Sequence, residues 1–470
     1  MKHLLTLSSL VASFFIFAQL PIGVRTITYN DPERTGGVGS GGGPGRQIEC
    51  AVYYPATSAG NNTPVANGEF PVVVFGHGFA MQWSAYQNVW EFLTPQGFIL
   101  IFPKTESSIF PAPSHNDFGL DLALAANRML ADNENVASPF YQKVNGNSAI
   151  MGHSMGGGAT VLAAQNNNSI KTIIGLASAE TNPSAVAAAE NVSVPALILS
   201  GSADGVTPPS EHHLPIFNAL ESTCKSFVSI TGGAHCYFAN TDFACDFGEG
   251  TASTGISISR AEQQGFMNSL ILPWLTFYLK EDCAGFTEFM ETANTSGLVP
   301  NHECDYTPIS YDVTISNPDA GQSNGSATVT FSGGSAPVAF AWFDGTTNPE
   351  LSGLSEGSYD FTISDALCTL QGTAVVVSET SGTDENFLAQ VLIFPNPTSG
   401  NSTIQFPVIA NFEITLTDAS GRVLIHKNIT DSSVYSLDLS NTSAGMYFVL
   451  ITDDQENVMR IPILRDYFLT

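Results

Sequence analysis

The chain has 470 residues, enough for two or three domains rather than one. It carries 15 basic against 43 acidic side chains, a formal net charge of −28. That balance argues against nucleic acid and anionic membrane surfaces as partners and favours solubility.

The start, Met1-Lys2-His3, is charged, and an apolar run follows from Leu4 to Leu20 with Ala18-Gln19 near its end. This reads as a secretory signal peptide over residues 1–18. The run is about 17 residues, short for a membrane span, and no other stretch approaches 18 uninterrupted apolar residues. The expected mature protein is therefore soluble and exported. Seven cysteines (Cys50, Cys224, Cys236, Cys245, Cys283, Cys304 and Cys368) fit an oxidising compartment. None has Cys-x-x-Cys spacing. Proximity along the chain suggests Cys236 with Cys245 and Cys283 with Cys304, but the sequence leaves the bridges unassigned.

From about residue 26 to 285, short β-branched or aromatic runs alternate with longer helical ones, the pattern of a largely parallel sheet covered by helices. Phe70–Gly76 and Gly97–Phe102 read as strands, and Asp117–Leu130 has apolar residues at helical spacing. Ala149–Gly152, Thr172–Leu176 and Val194–Gly201 are further buried strands, with helices around Met155–Gln165 and Ser210–Leu220. Phe227–Thr231 is the expected last strand and Ala261–Leu279 a closing amphipathic helix. Near residue 305 the texture changes. Short alternating stretches broken by Gly, Ser, Asn and Asp turns, from Tyr311 to Glu379, read as a small antiparallel sandwich. A polar linker over 380–388 leads to a second all-β module, 389–470, with strands near Ser402–Phe406, Phe412–Asp418, Val434–Asp438 and Gly445–Asp453. The expected order is thus a signal peptide (1–18), an α/β domain (19–305), a β domain (306–379), the linker and a terminal β domain.

The strongest local signal is Gly152-His153-Ser154-Met155-Gly156 between a predicted strand and a predicted helix. A sharp strand-to-helix turn lifts a serine hydroxyl above the sheet, and small residues at 152 and 156 relieve the crowding. Asp204 follows the strand Leu197–Gly201 directly, 50 residues after the serine. An aspartate on such a loop suits the task of orienting an imidazole. His235, in Gly232-Gly233-Ala234-His235, sits on the loop after the next strand. The order Ser-Asp-His, the loop placement and the flanking glycines together point to Ser154 as nucleophile with His235 as base and Asp204 as acid. Glu180 is the rival acid, ranked lower because it follows the earlier strand. The loop Gly76-His77-Gly78-Phe79 follows the first parallel strand, so the backbone N–H groups of Phe79 and Met155 are the candidate oxyanion donors. His77 is expected to orient that loop, and His153, His212 and His213 to be structural. Trp83, Tyr237 and Phe238 lie close enough in sequence to line a substrate surface. His115 lacks the companions of a metal site, and no dinucleotide or phosphate-loop motif is present, so no metal or cofactor is assigned.

The stretch Phe70–Gly78, the Gly-His-Ser-Met-Gly-Gly-Gly elbow and the Asp204 and His235 loops resemble the cutinase-like polyester hydrolases of the α/β-hydrolase fold, including those acting on poly(ethylene terephthalate). They also look like dienelactone-hydrolase, lipase and chlorophyllase-like relatives. The resemblance covers about residues 45–285. It implies an open, lidless cleft, an oxyanion hole at Phe79 and Met155, and a late disulfide that Cys283 and Cys304 could supply. One departure is visible: Ala179, in Ala177-Ser178-Ala179-Glu180, stands where a stacking tryptophan is expected, placing Ala179 and Glu180 beside the substrate. Farther on, Phe394-Pro395-Asn396-Pro397, Asp418-Ala419-Ser420-Gly421-Arg422 and Gly445-Met446-Tyr447-Phe448 look like the C-terminal sorting domain of the type IX secretion system of Bacteroidota. Residues 311–377 look like the immunoglobulin-like repeats of surface adhesins. The combined expectation is a secreted or surface-attached monomeric serine esterase for hydrophobic esters or polyesters, with the type IX machinery as partner. A general lipase or short-chain esterase is the runner-up. A peptidase would use the same triad, and a non-catalytic adhesin is the alternative of a different class.

Overall fold

The computed structural model describes residues 19–377 apart from 166, 168 and 320, and residues 391–465 apart from 397, 399, 419–421, 441, 444 and 454–457. The expected signal peptide and linker lie outside the described residues. Contacts divide the chain into one unit running to Asn317 together with Asn324–Val377, and a second comprising Pro318–Ser323 and the chain from Ser378 onward.

The first unit is built on a sheet whose inner strands are largely apolar. Strands β1 (Ile22–Asp31) and β2 (Arg46–Pro55) precede β3 (Phe70–Gly76), β4 (Ile99–Pro103), β5 (Val144–His153), β6 (Thr172–Leu176), β7 (Ala196–Gly201), β8 (Cys224–Ile230) and β9 (Leu298–Cys304). Every residue of β3, β4, β6 and β7 is buried, because helices cover both faces and the usual in–out alternation disappears. The order across the sheet is β9-β8-β7-β6-β5-β3-β4-β2-β1. Neighbours from β8 to β4 are parallel, and β9, β2 and β1 add antiparallel edges. The chain runs from β3 outward to β4, then crosses to β5 on the other side of β3. In such sheets the crevice at the carboxyl ends of the strands, at this reversal, is where ligands sit.

The helices are α1 (Gln87–Leu93), α2 (His115–Asp132), α3 (Met155–Ala164), α4 (Ala185–Ala189), α5 (His213–Ala219), α6 (Phe243–Ala252), α7 (Arg260–Lys280) and α8 (Ala284–Ala293). The Ser114 hydroxyl caps α2, and Ser259 with Glu262 forms a capping box on α7. Trp274 of α7 is buried and donates its indole N–H to Thr172 Oγ1 at 2.8 Å.

Two expectations need correction. The strand at 224–230 is not the last, since β9 pairs with it in antiparallel register. Exposure alternates along β9, but Pro300 and the consecutive polar residues Asn301, His302 and Glu303, which an edge strand tolerates, hide it in the sequence. The bridges are Cys224–Cys304, Cys236–Cys245 and Cys283–Cys368, so Cys283 does not pair with Cys304. Cys304 faces Cys224 directly across the β8–β9 ladder, while Cys283 lies against Thr369, whose carbonyl accepts its N–H. Cys50 is free and buried.

Two three-stranded antiparallel sheets follow within the same unit, β10 (Ser310–Ser316), β11 (Gly325–Ser332) and β13 (Glu350–Leu354) in one, β12 (Ala339–Trp342), β14 (Gly357–Ser364) and β15 (Thr369–Val376) in the other. Phe331 stacks on Phe340 and Tyr311 meets Phe361 edge-on, joining the two sheets. Tyr306 packs between Phe277 and Phe286, and Thr369 N–H donates to Glu281 O. With the Cys283–Cys368 bridge, these contacts fix the β sheets to the helical part of the unit.

The second unit is a five-stranded antiparallel sheet of Leu392–Phe394, Asn401–Asp418, Val423–Asp438, Gly445–Asp453 and Val458–Arg465. Its core is Ile404, Phe406, Ile414, Leu416, Leu437, Val449, Ile451 and Ile463, with Phe406 stacked on Phe412.

Candidate active site

Strand β5 ends at His153 and α3 begins at Met155, so Ser154 alone makes the turn. Its φ of +56° and ψ of −119° are costly for a residue with a side chain. The turn persists because its neighbours enforce it. Ser154 N–H donates to Leu176 O, and Ser154 O accepts from Ala179 and Gly158 N–H. A Cβ on Gly152 would fall 2.3 Å from Gly156 O, and one on Gly156 would fall 2.1 Å from Gly76 O. The glycines of the motif are thus required by packing.

Asp204 follows β7 and His235 follows β8, two adjacent strands of the sheet. Asp204 Oδ2 lies 2.7 Å from His235 Nδ1, and both side chains are buried. Burial alone would raise the Asp204 carboxyl. The hydrogen bond and charge of His235, with His213 and the Thr207 N–H, outweigh this and hold it below its ordinary range. Because the carboxylate accepts the hydrogen bond of Nδ1–H, Nε2 of His235 is the nitrogen free to act as base. The loop is gripped from behind: Gln263 Oε1 accepts Ala234 N–H and Gln263 Nε2 donates to Ala234 O, each at 2.7 Å. Glu180 does something else. Its carboxylate accepts Val186 N–H at the start of α4, and its own N–H donates to His212 Nδ1.

A second chain of hydrogen bonds joins the oxyanion loop to the elbow. His153 Nε2 lies 3.0 Å from His235 O, an acceptor, so Nε2 carries the proton and Nδ1 accepts. The donor to Nδ1 is the Tyr86 hydroxyl at 2.9 Å, which itself accepts Gly78 N–H at 2.8 Å. Burial holds His153 well below the usual histidine range, which keeps this tautomer neutral. The His77 ring sits between two backbone carbonyls of this region, with Nε2 2.8 Å from Thr105 O and Nδ1 3.0 Å from Gly78 O. The first helical bond of α3 is Gly158 N–H to Ser154 O, leaving Met155 N–H without an intrahelical acceptor. Among the described residues Phe79 N–H also donates to no backbone or side-chain acceptor.

The expected substrate residues divide. Ala179 is partly exposed beside Ser154. Trp83 is half-buried against Tyr53 and Trp90 with the Lys104 ammonium over its ring, and Tyr237 lies under the Arg260 guanidinium. Phe238 is a correction: it is fully buried, with its ring 6.1 Å from that of His153, because the short helical turn after His235 rotates it into the core. The exposed aromatics lie elsewhere. Phe79 is 49% exposed, and Phe243 and Phe247, stacked one helical turn apart on α6, are 87% and 68% exposed. The Cys236–Cys245 bridge and a bond from Cys236 N–H to Glu249 fasten α6 to the His235 loop, while Gly205 N–H donates to Ser253 Oγ just past its end. Helix α6 therefore spans the loops that carry His235 and Asp204. Its glycines and acidic residues conceal the helix in the sequence. His115 Nδ1 accepts Asn182 N–H.

A parallel sheet of this order, with a serine on a strained elbow and a buried Asp–His pair on later strands, defines an α/β-hydrolase. Residues 31–253 match the PET hydrolase-like family model, and residues 392–464 match the secretion system C-terminal sorting domain. The α/β part of the chain belongs to the cutinase and PET-hydrolase-like branch of the α/β-hydrolases, and the chain carries a C-terminal sorting domain. Among similar proteins, cutinase est1 of Thermobifida alba is 26% identical over 215 residues, 45% of this chain and 64% of that protein. Bis(hydroxyethyl) terephthalate hydrolase of Streptomyces coelicolor is 29% identical over 189 residues, 39% of this chain and 54% of its own. A cutinase of Thermobifida fusca is 26% identical over 215 residues, 45% and 63% respectively. Each match spans less than two thirds of the relative's own length.

Proposed function

We propose that the protein is a secreted serine carboxylic-ester hydrolase acting on hydrophobic esters, with polyesters such as poly(ethylene terephthalate) or cutin-like polymer as its substrate class. The observation that carries this reading is the 2.7 Å contact of Asp204 with His235 on the sheet edge that also bears the strained Ser154. In this reading His235 Nε2 takes the Ser154 proton as Oγ attacks the ester carbonyl. The Phe79 and Met155 N–H groups receive the oxyanion, and the alcohol leaves with the proton. Water activated by His235 then hydrolyses the acyl-enzyme. The exposed Phe79, Phe243 and Phe247 support a large apolar substrate, since apolar surface of this kind is rarely left open without use. The names of the cutinase and terephthalate-ester relatives point the same way.

The rest of the reading is a signal peptide over 1–18, an immunoglobulin-like sandwich over 306–379, a linker over 380–388, and a terminal domain over 389–470 that addresses a monomeric enzyme to type IX export. Ala179 favours a second reading, a general lipase or short-chain esterase, because its methyl group offers no stacking surface. Short and long p-nitrophenyl esters assayed beside a poly(ethylene terephthalate) film, with Ser154→Ala as control, separate the two. Serine-dependent release of aromatic acid supports the first reading, activity on small esters alone the second, and no hydrolysis a non-catalytic adhesin.

A further inference from the structure

Behind Asp204 lies a row of buried polar side chains that the reaction does not use. Thr207 Oγ1 is 3.0 Å from Asp204 Oδ2, 3.0 Å from His213 Nε2 and 2.9 Å from His235 Nδ1. On its far side His213 Nδ1 is 2.8 Å from Ser200 Oγ. Thr207 and His213 are buried on α5 and the loop before it, and Ser200 is buried on β7. Among the described residues no lysine or arginine pairs with Asp204, so its charge is held by hydrogen-bond donors.

The acceptors around Asp204 fix the proton positions. Asp204 Oδ1 accepts the N–H groups of Val206 and Thr207 at 2.9 and 2.8 Å. Oδ2 accepts from His235 Nδ1, and being a carboxylate it can only accept from Thr207 as well. Of the competing acceptors for the Thr207 proton, Ala177 O is longer at 3.3 Å, and both it and His213 Nε2, at 3.0 Å, are uncharged, so the carboxylate takes the bond. With its proton committed to Asp204, Thr207 Oγ1 must accept from His213, which puts the His213 proton on Nε2. Nδ1 then accepts from the Ser200 hydroxyl, and every group in the row is satisfied. Asp204, His235 and His212 are the titratable groups that act on His213, and burial dominates them, holding the ring neutral and pushing it down to about 3.

We infer that Thr207 and His213 are positioning residues for the Asp204–His235 pair, linked as Ser200 O–H to His213, His213 Nε2–H to Thr207, and Thr207 O–H to Asp204 Oδ2. This rests on the proposed triad. The row fixes which carboxylate oxygen faces His235 and draws charge from it. Removing the Thr207 proton leaves more charge on Oδ2, the oxygen that faces the imidazole, and the acid limb of kcat/KM moves upward.

Two measurements on the full chain test this. The first needs no substrate: nitrogen-15 spectra of the histidine rings at neutral pH should give His213 as the Nε2–H tautomer, and an Nδ1–H tautomer overturns the linkage. The second is the pH profile of soluble-ester hydrolysis. Thr207→Val should lower kcat about 10- to 100-fold with KM little changed and the acid limb shifted upward, and Thr207→Ser should restore both. His213→Ala should cost less, and should add little in the Thr207→Val background because it acts through that hydroxyl. Additive losses, or a loss of melting temperature with kcat and the pH profile unchanged, overturn the positioning role. Absence of ester hydrolysis in the wild type would instead defeat the proposed function, while the spectra still decide the linkage.

Discussion

Acidification should destabilise the first unit well before its carboxylates titrate. His77, His153 and His213 are each fully buried, and burial lowers all three below the usual histidine value. Unfolding returns each ring to water and a value of about 6.5. Below that pH the unfolded chain binds protons that the folded one refuses, so stability is present in full above about pH 6.5 and is lost as pH falls toward the folded values. Each ring that stays neutral contributes about 2 kcal/mol of loss between pH 7 and pH 5. His153 and His213 together give about 4 kcal/mol, and His77 adds up to about 2 more. That is a large part of the 5–15 kcal/mol available to an ordinary domain, taken as about that range. The Asp204 carboxyl, held low, has its own window: its contribution is kept above about pH 4 and lost as pH falls through its folded value. The assay is urea unfolding at pH 7, 6 and 5 followed by tryptophan fluorescence, since Trp83, Trp90, Trp274 and Trp342 all belong to this unit. The midpoint should fall steeply, and His213→Asn should reduce the pH dependence by about a third. A midpoint that is flat from pH 7 to 5, or a slope unchanged in His213→Asn, would refute the reasoning.

Three further outcomes follow from the geometry. Asp204→Asn should lower kcat for a soluble ester by about 10³- to 10⁴-fold with the fold retained, whereas Glu180→Gln should cost less than about tenfold; steady-state kinetics on both variants would reassign the acid if the order were reversed. Replacing Phe243 and Phe247 with serine should reduce hydrolysis of a polyester film at least about tenfold more than hydrolysis of p-nitrophenyl butyrate, because the apolar area lost serves a solid surface more than a small ester. Equal losses on the two substrates would remove α6 from the substrate surface. Replacing Cys283 and Cys368 with serine removes a link spanning 85 residues. The loss should be about 4–5 kcal/mol on chain-entropy grounds, and an unchanged urea midpoint would contradict it.

Much of the first unit was legible because inner strands such as Phe70–Gly76 and Ile99–Pro103 are continuously apolar and the catalytic residues sit at strand ends. Phe70–Gly76 and Thr172–Leu176 could be read to the residue, and Ser154, Asp204 and His235 could be read from their order on successive loops. What escaped depends on three-dimensional closure. Tyr86, Thr207 and His213 have no motif. Their roles arise because α5 and the loops after β3 and β7 bring Tyr86 to 2.9 Å from His153, Thr207 to 3.0 Å from Asp204 and His213 to 3.0 Å from Thr207. Proximity along the chain found Cys236–Cys245 but not Cys283–Cys368, which crosses from a helix N-terminus to a distant β sheet. Phe238 and Phe247 are equally aromatic in the sequence, and the backbone turn after His235 alone decides that the first is core and the second faces solvent.

The most direct test of the whole account is the ester-hydrolysis rate of Ser154→Ala against the wild type, with the three bridges intact and folding checked by its melting temperature. The expected result is a fall of about 10³-fold or more on soluble esters and on film, with the fold retained. A folded Ser154→Ala protein that hydrolyses esters at the wild-type rate would contradict it.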